Sequence, residues 1–465
     1  MCLHIYEFFH TLILMTKYPF NSDMLALGKK FNEAGFSLYL VGGAVRDFLL
    51  KKENDDADFT TDATPDEVIK LFPKATIPTG IKHGTVTVIF NKQSYEITTF
   101  RTEGKYSDSR HPDNISFVRS LEEDLSRRDF TVNAFAASTK DGAIIDLHNG
   151  LEDLNNKVIR AIGCAKQRFD EDALRMLRAI RFASKLGFKI EDTTFDAIKK
   201  DSSRITIISK ERIREEIFKI IDSPNPSYGF KLLRESGLLK YIIPCLDQAY
   251  GFEQLGNHKE DVFFHTLSAL EAAKSLGYPF IVKLAILFHD LGKIEARRGS
   301  AQEGYTFYGH ELISANIAKQ NLTELKCSNE EIERTTNLVK NHMFSYTPNW
   351  TDSAVRRFIL RVGISDIPYL FDLRKAYALS MDEKADFTLL NEFENRIQKE
   401  LETQNALTLK DLKLNGNDIK SLFNVQGKTI GNILSYLLEE VIEDPSLNDR
   451  DKLINLTGLF LSKLS

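Results

Sequence analysis

Hydrophobic periodicity changes once along this chain, near residue 170, and that change limits the architectures open to it. From about residue 22 to 160, short apolar runs alternate with segments of helical spacing. Beyond Asp170 the strand-like runs fade and helical spacing dominates to the C-terminus, with breaks at Ser223-Pro224-Asn225-Pro226, 251–256, 299–304 and 348–351. A mixed sheet domain followed by a long helical region is therefore expected, an α+β chain. At 465 residues it exceeds what one core usually organises, so several modules are expected.

Local signals give the first module its detail. Ser22 caps a helix ending at Gly35, and Ser37 to Val41 is a buried strand feeding the turn Gly42-Gly43. Asp56 to Thr60 is a second short strand. Thr64-Pro65-Asp66-Glu67 has the cap, the first-turn proline and the third-position glutamate of a capping box, so a helix starts there. Thr85 to Phe90 and Ser94 to Phe100 form a hairpin around Asn91-Lys92-Gln93.

Composition excludes several classes. Hydrophobic residues make up 42% and charged residues 27%, as in a globular protein, and no apolar run reaches the roughly 18 residues of a membrane span. The four cysteines are dispersed without a CxxC pair, which fits a reducing cytoplasm better than a disulfide framework. With a net charge of −5, any nucleic-acid partner must be met by local basic clusters. Leu3 to Met15 carries His4, Glu7 and His10 without a basic leader, and is read as an extension with Met15 or Met24 as alternative starts.

Chemistry gathers after the double glycine. Gly42-Gly43 ends a strand and opens a helix, which lets backbone N–H groups approach a phosphate, with Arg46 one turn in. Asp56-Ala57-Asp58 places two carboxylates on one strand face, where like charges repel unless a cation such as Mg²⁺ lies between them. The acidic run from Glu53 to Asp58 also reads as an ordinary solvated face. Glu96 on the following hairpin is a third acid for the same face, and the three together form the arrangement of a metal-dependent nucleotidyl-transfer site, with Asp56, Asp58 and Glu96 catalytic.

Four motifs in order carry a resemblance. Leu40 to Asp47 with Asp56-x-Asp58, then Arg127-Arg128-Asp129-Phe130-Thr131-Val132-Asn133-Ala134, then Glu171-Asp172-Ala173-Leu174-Arg175-Met176-Leu177-Arg178, resemble the bacterial class II tRNA nucleotidyltransferases of the polymerase β superfamily. Ile208 to Glu216 is similar to the last head-and-neck motif, and Arg101 to Pro112 to the family's flexible loop. Ile145 to Leu154 matches the hinge segment, with Leu147 where proline is usual. The resemblance implies addition of the 3′-terminal CCA to tRNA from CTP and ATP with Mg²⁺. It implies a nucleotidyltransferase head at 22–160, a helical neck at 161–250, a helical body at 251–400 and a tRNA-binding tail at 401–465. An A-adding enzyme or a poly(A) polymerase shares the same head.

Residue chemistry assigns further roles. Arg127-Arg128-Asp129 offers guanidinium groups to a triphosphate and a carboxylate to a ribose hydroxyl, or a salt bridge at a helix start. Asp172 and Arg175, three apart on a helix, are either a surface ion pair or a reader of bases. Cytosine and adenine both present an amino donor beside a ring-nitrogen acceptor, so a carboxylate next to a guanidinium accepts them and repels uracil and guanine. Arg178 and Arg181 continue the basic stripe toward the triphosphate. With Gly42, Gly43, Arg46 and Arg128, these form the expected nucleotide-binding set.

A second cluster lies in the helical region. Phe288-His289-Asp290-Leu291-Gly292-Lys293 contains the pair that names HD-domain phosphohydrolases, and His265, His310 and His342 supply further ligands for a divalent metal. Tyr377 stands where that pattern closes with aspartate, leaving Asp372 and Asp382 as substitutes and an inherited helical scaffold as the alternative. In the tail, Leu407 to Leu412 is expected to be a helix, followed by a helix-turn-helix with glycine-lysine turns. Oligomeric state is not encoded in any of these patterns.

Overall fold

The computed structural model describes residues 17–54, 57–103, 115–254, 260–300, 302, 304–403 and 408–463. It divides into two compact units, with the boundary between Pro244 and Cys245. No helix among the described residues is long and apolar enough to cross a membrane.

The first unit is built on a seven-stranded sheet. In chain order its early elements are α1 (Ser22–Glu33), β1 (Leu38–Val41), α2 (Gly43–Leu49), β2 (Asp58–Thr61), α3 (Pro65–Leu71), β3 (Thr76–Gly80), β4 (Thr85–Phe90) and β5 (Gln93–Thr99). The short strands β6 (Arg101–Glu103) and β7 (Ile115–Phe117) pair apart from the sheet, which β8 (Phe135–Ser138) and β9 (Ile144–Asp146) complete in the order β3-β4-β5-β2-β1-β8-β9. Only the β2–β5 neighbours run parallel. That pairing needs the crossover through α3, β3 and β4, and it sets Asp58 opposite Glu96.

Most local signals are realised with small shifts. Asn21, not Ser22, caps α1, its side chain accepting from the Met24 N–H. Thr64 and Glu67 form the capping box of α3. Asn91 and Lys92 both take positive φ in the β4–β5 turn, as two-residue hairpin turns favour. The expected strand at Asp56 begins at Asp58; Asp56 lies outside the described residues, as do 104–114 of the expected flexible loop.

The chain then turns helical through α4 (Leu121–Ser126), α5 (Gly150–Asn155), α6 (Ala165–Glu171), α7 (Leu174–Leu186), α8 (Asp192–Asp201), α9 (Lys210–Ile221) and α10 (Pro226–Glu235). The expectation of an all-α remainder needs correction in two places. Val158–Ile159 pairs in parallel with Lys189–Ile190, and Arg298–Ser300 pairs with Gly304–Thr306. Pairs of two or three residues are too short to interrupt helical periodicity in the sequence.

In the second unit the helices Val262–Ser275, Phe280–Ile286, His310–Glu324, Asn329–Asn341 and Ile367–Met381 form the first bundle. Gly416–Phe423, Lys428–Glu443 and Arg450–Ser462 form the last one, around Leu414, Ile419, Ile433 and Leu437. The helix expected over Leu407–Leu412 is absent from its described residues, 408–412, which run in turns and bends; Leu412 instead packs into that last core. Buried Arg356, on helix Asp352–Val362, ties the helix Thr388–Glu402 to the last bundle: it donates to Glu400 Oε2 (2.9 Å) and to the carbonyls of Ile442 (2.7 Å) and Glu443 (3.2 Å).

Candidate functional site

A cleft of about 610 Å³ opens in the first unit, and its walls come from the glycine turn, the Arg127–Asn133 segment and one face of α7. Gly42 bridges β1 and α2 at φ +71°, ψ −127°, a backbone geometry side chains resist. Arg128 Nη1 lies 3.5 Å from where a Gly42 Cβ would stand, and Arg46 Nη2 lies 3.5 Å from that point on Gly43. Two guanidinium groups therefore crowd the turn. Arg46 is only 2% exposed; it donates through Nε to Asp47 Oδ1 (2.7 Å) and through Nη1 to Asn133 Oδ1 (2.6 Å).

Helix α7 supplies the cationic wall. Met176, Leu177 and Ile180 bury one face, while Leu174, Arg175, Arg178, Arg181 and Lys185 line the cleft with Phe182. Arg181 sits 4.2 Å over the Phe182 ring, with Arg178 and Arg46 at 5.4 and 5.5 Å. Arg178 also grips Asp129, Nη2 to Oδ2 at 2.6 Å, and Arg181 Nε pairs with Glu216 at 2.9 Å. Burial alone would raise the Asp129 carboxyl, but the Arg178 guanidinium outweighs it and holds the group below the usual carboxylate range. For Arg181 burial wins and lowers its pKa despite Glu216.

Asp172 and Arg175 do not share a helix as expected. The chain leaves α6 in extended backbone at Asp172 (φ −145°, ψ 108°), and α7 begins at Leu174. Asp172 is bound by Arg212 of α9, Nη2 to Oδ2 at 2.7 Å, and Arg175 by Glu171 Oε2 (2.5 Å) and the Arg127 carbonyl (3.1 Å). Both line the cleft, as do Gly42, Gly43, Asp58 and Arg128. Glu96 is exposed and shares the sheet face of Asp58 through their direct pairing.

Several contributors were given no role of their own by sequence: Arg212, within the Ile208 to Glu216 motif, and Phe182, Lys185 and the carboxylate of Asp124. Asp124 has no exposed side-chain surface and binds Arg127 (2.6 Å) and Arg128 (3.3 Å), anchoring the segment that carries Asp129. Burial would raise its carboxyl, yet the two guanidinium groups bring it down. Arg212 and Glu216 are four apart on α9, a spacing that signals a shared face but names no partner.

The second unit brings its five sequence-selected residues together. Asp290 Oδ2 lies 3.2 Å from His265 Nε2 and 3.3 Å from His289 Nε2; its Oδ1 lies 3.1 Å from His310 Nε2 and 3.6 Å from His342 Nε2. Nδ1 of His289, His310 and His342 donates to a carbonyl, at 2.7, 2.8 and 2.7 Å, which turns each Nε2 inward, that of His289 to within 3.3 Å of His265 Nε2. Asp290 Oδ1, His310 Nε2 and His342 Nε2 are buried without a hydrogen-bond partner. Burial pushes His342 down to about 4, keeping it neutral near pH 7. This donor set fits a cation. Neither Asp372 nor Asp382 joins the ligand groups, and the Tyr377 ring packs on His265 with centroids 5.1 Å apart.

A glycine turn beside a strand carboxylate, faced by an arginine-lined helix, defines a nucleotidyltransferase. Comparisons with known proteins agree along the length of the chain. Residues 38–160 match the Poly A polymerase head domain, 187–250 the RNA and SrmB-binding site of polymerase A, and 310–456 tRNA nucleotidyltransferase domain 2. The CCA-adding enzyme of Ligilactobacillus salivarius is 37% identical over 92% of this chain and 94% of its own. That of Lactobacillus helveticus is 52% identical over 44% of this chain and 51% of its own. The crystal structure of the Bacillus stearothermophilus CCA-adding enzyme in complex with CTP superposes with a TM-score of 0.70, at 27% identity over 95% of this chain and 97% of that one. The chain belongs to the class II CCA-adding enzymes, a family of tRNA nucleotidyltransferases that use divalent metal.

Proposed function

We propose that the chain adds C, C and A in turn to the 3′ end of tRNA, taking CTP and ATP and releasing pyrophosphate. The observation that carries this reading is the single cleft in which Asp58, the glycine turn, Asp129, Asp172 and Arg175 meet. Arg128 and Arg178 bind the triphosphate, and Arg46 braces the turn from beneath through Asp47 and Asn133. Asp129 accepts from a ribose hydroxyl while Asp172 and Arg175 select bases that carry an amino group. Asp56 and Asp58 are the residues that would hold Mg²⁺, since their hard oxygen donors suit that ion, with Glu96 on the same face. When bound, Mg²⁺ lowers the pKa of the attacking 3′-hydroxyl and neutralises the leaving pyrophosphate.

Head, neck, body and tail divide at residues 160, 250 and 400, with the tail gripping the tRNA. The dispersed Cys164, Cys245 and Cys327, none in a CxxC pair, suit a cytoplasmic protein. His265, His289, Asp290, His310 and His342 hold a second divalent ion, and their imidazole-rich set favours a first-row transition metal over Mg²⁺. With Tyr377 in the place of the closing carboxylate, that ion supports the body rather than a phosphohydrolase reaction.

The test uses two transcripts, one tRNA lacking CCA and one ending in CC, with CTP and ATP supplied singly and together. Completion of CCA on the first supports the reading. Addition of A to the second alone makes the chain an A-adding enzyme, and long A tails make it a poly(A) polymerase.

A further inference from the structure

Asp172 and Arg175, the pair assigned to base selection, are held by different partners. Helix α6 does not hold the Asp172 side chain and α7 touches it only through its first N–H, because the Asp172 backbone is extended between the two helices. The restraint comes from 40 residues away, where the Arg212 guanidinium straddles the carboxylate, Nη2 to Oδ2 at 2.7 Å and Nη1 to Oδ1 at 3.4 Å. The Leu174 N–H adds a third bond to Oδ1 at 3.0 Å. A carboxylate accepts about four hydrogen bonds, so these three leave one acceptor site, on Oδ2 of a cleft-lining residue. One turn further along α9, Glu216 pairs with Arg181 of α7. These two ion pairs tie α9 to Asp172 and to α7, and so fix the direction in which Arg212 points.

We infer that Arg212 is a positioning residue for base selection: its planar fork orients the Asp172 carboxylate so that the remaining site on Oδ2 accepts from the exocyclic amino group of cytosine or adenine. This rests on the role given to Asp172 above. A carbonyl oxygen, as on uracil or guanine, meets the same fixed lone pair and is repelled. Without the fork, Asp172 keeps one backbone bond, and its carboxylate rotates to admit either edge. Lysine is a point charge that reaches one oxygen, so it restores orientation only in part.

The experiment measures kcat/KM on the full chain for CTP against UTP with the transcript lacking CCA, and for ATP against GTP with the transcript ending in CC. In Arg212→Ala both ratios are expected to fall about tenfold, the size of one good bidentate base contact. Arg212→Lys recovers part of the loss. A merely structural residue would depress all four nucleotides alike; ratios within about twofold of wild type therefore overturn the inference. Should the alanine variant not fold, Arg212→Gln, which keeps the stem but not the charged fork, carries the same criterion. Asp172→Ala separates the two levels. If it loses selectivity while the Arg212 variants keep it, Arg212 alone is misassigned; if it stays selective, the base-reading assignment itself fails. A wild-type chain that transfers neither CMP nor AMP fails the functional reading before Arg212 is reached.

Discussion

At the scale of single residues, the cleft is governed by who neutralises whom. Asp124 is the clearest case, a buried carboxylate answering Arg127 and Arg128 together. Asp124→Asn leaves two guanidinium groups without their anion, and a loss of about 3 kcal/mol is expected in urea unfolding at pH 7. The sign of its pH dependence follows from its depressed pKa. Its contribution is complete above the ordinary aspartate value of about 4 and disappears as pH falls through the lower folded value. The stability gap between wild type and Asp124→Asn should therefore close in acid; a gap that widens there would show that Asp124 is not the stabilising anion. Asp58→Ala tests the chemistry: transfer to tRNA is expected to be lost while CTP binding, followed by calorimetry, survives through Arg128 and Arg178. Gly42, Asp129 and the arginines of α7 were legible in the sequence because the motif spacing names them. Arg212 was not, because its partner is 40 residues distant and helix periodicity carries no address.

Elements decide how those residues meet. The parallel β2–β5 pairing, achieved by a crossover and not by a hairpin, is what sets Asp58 beside Glu96. The sequence showed each strand but not their adjacency, since alternation marks a face and never a neighbour. The same limit explains Asp172, where helical spacing on both sides masked a break of extended backbone. In the second unit, Gly292 lets the chain after Asp290 touch the helix His310–Glu324: a Cβ there would overlap the His310 carbonyl and the Ser314 N–H. Gly292→Ala is expected to displace His310 from the cluster, costing about 1–3 kcal/mol by overpacking and weakening metal uptake. Unchanged zinc or manganese binding in that variant would remove His310 from the ligand set. The capping box at Thr64 was fully readable, because its signal is local; Thr64→Ala should cost about 1 kcal/mol of thermal stability.

For the whole molecule, the sheet-then-helix division was plain from periodicity, while the number of compact units was not. Buried Arg356 ties the helix Thr388–Glu402, through Glu400, to the end of the helix Lys428–Glu443, a link between residues 44 and 87 positions away that no local pattern announces. Metal belongs to this scale as well. Zinc or manganese added to the chelated full chain should raise the unfolding temperature of the second unit, by roughly 2.7 kcal/mol of stabilisation at a hundredfold excess over Kd. His342→Ala should abolish the rise, and a rise that persists would move the ion elsewhere. One consequence reaches beyond structure to throughput. Arg128 and Arg178, proposed to bind the triphosphate, each already hold an internal carboxylate, Asp124 and Asp129. An arriving triphosphate gains only the difference between two ion pairs, and each departing pyrophosphate is helped off by anions waiting to reclaim their partners. The cleft is thus tempered for repeated turnover, a property suited to a catalyst that must empty itself three times on one substrate.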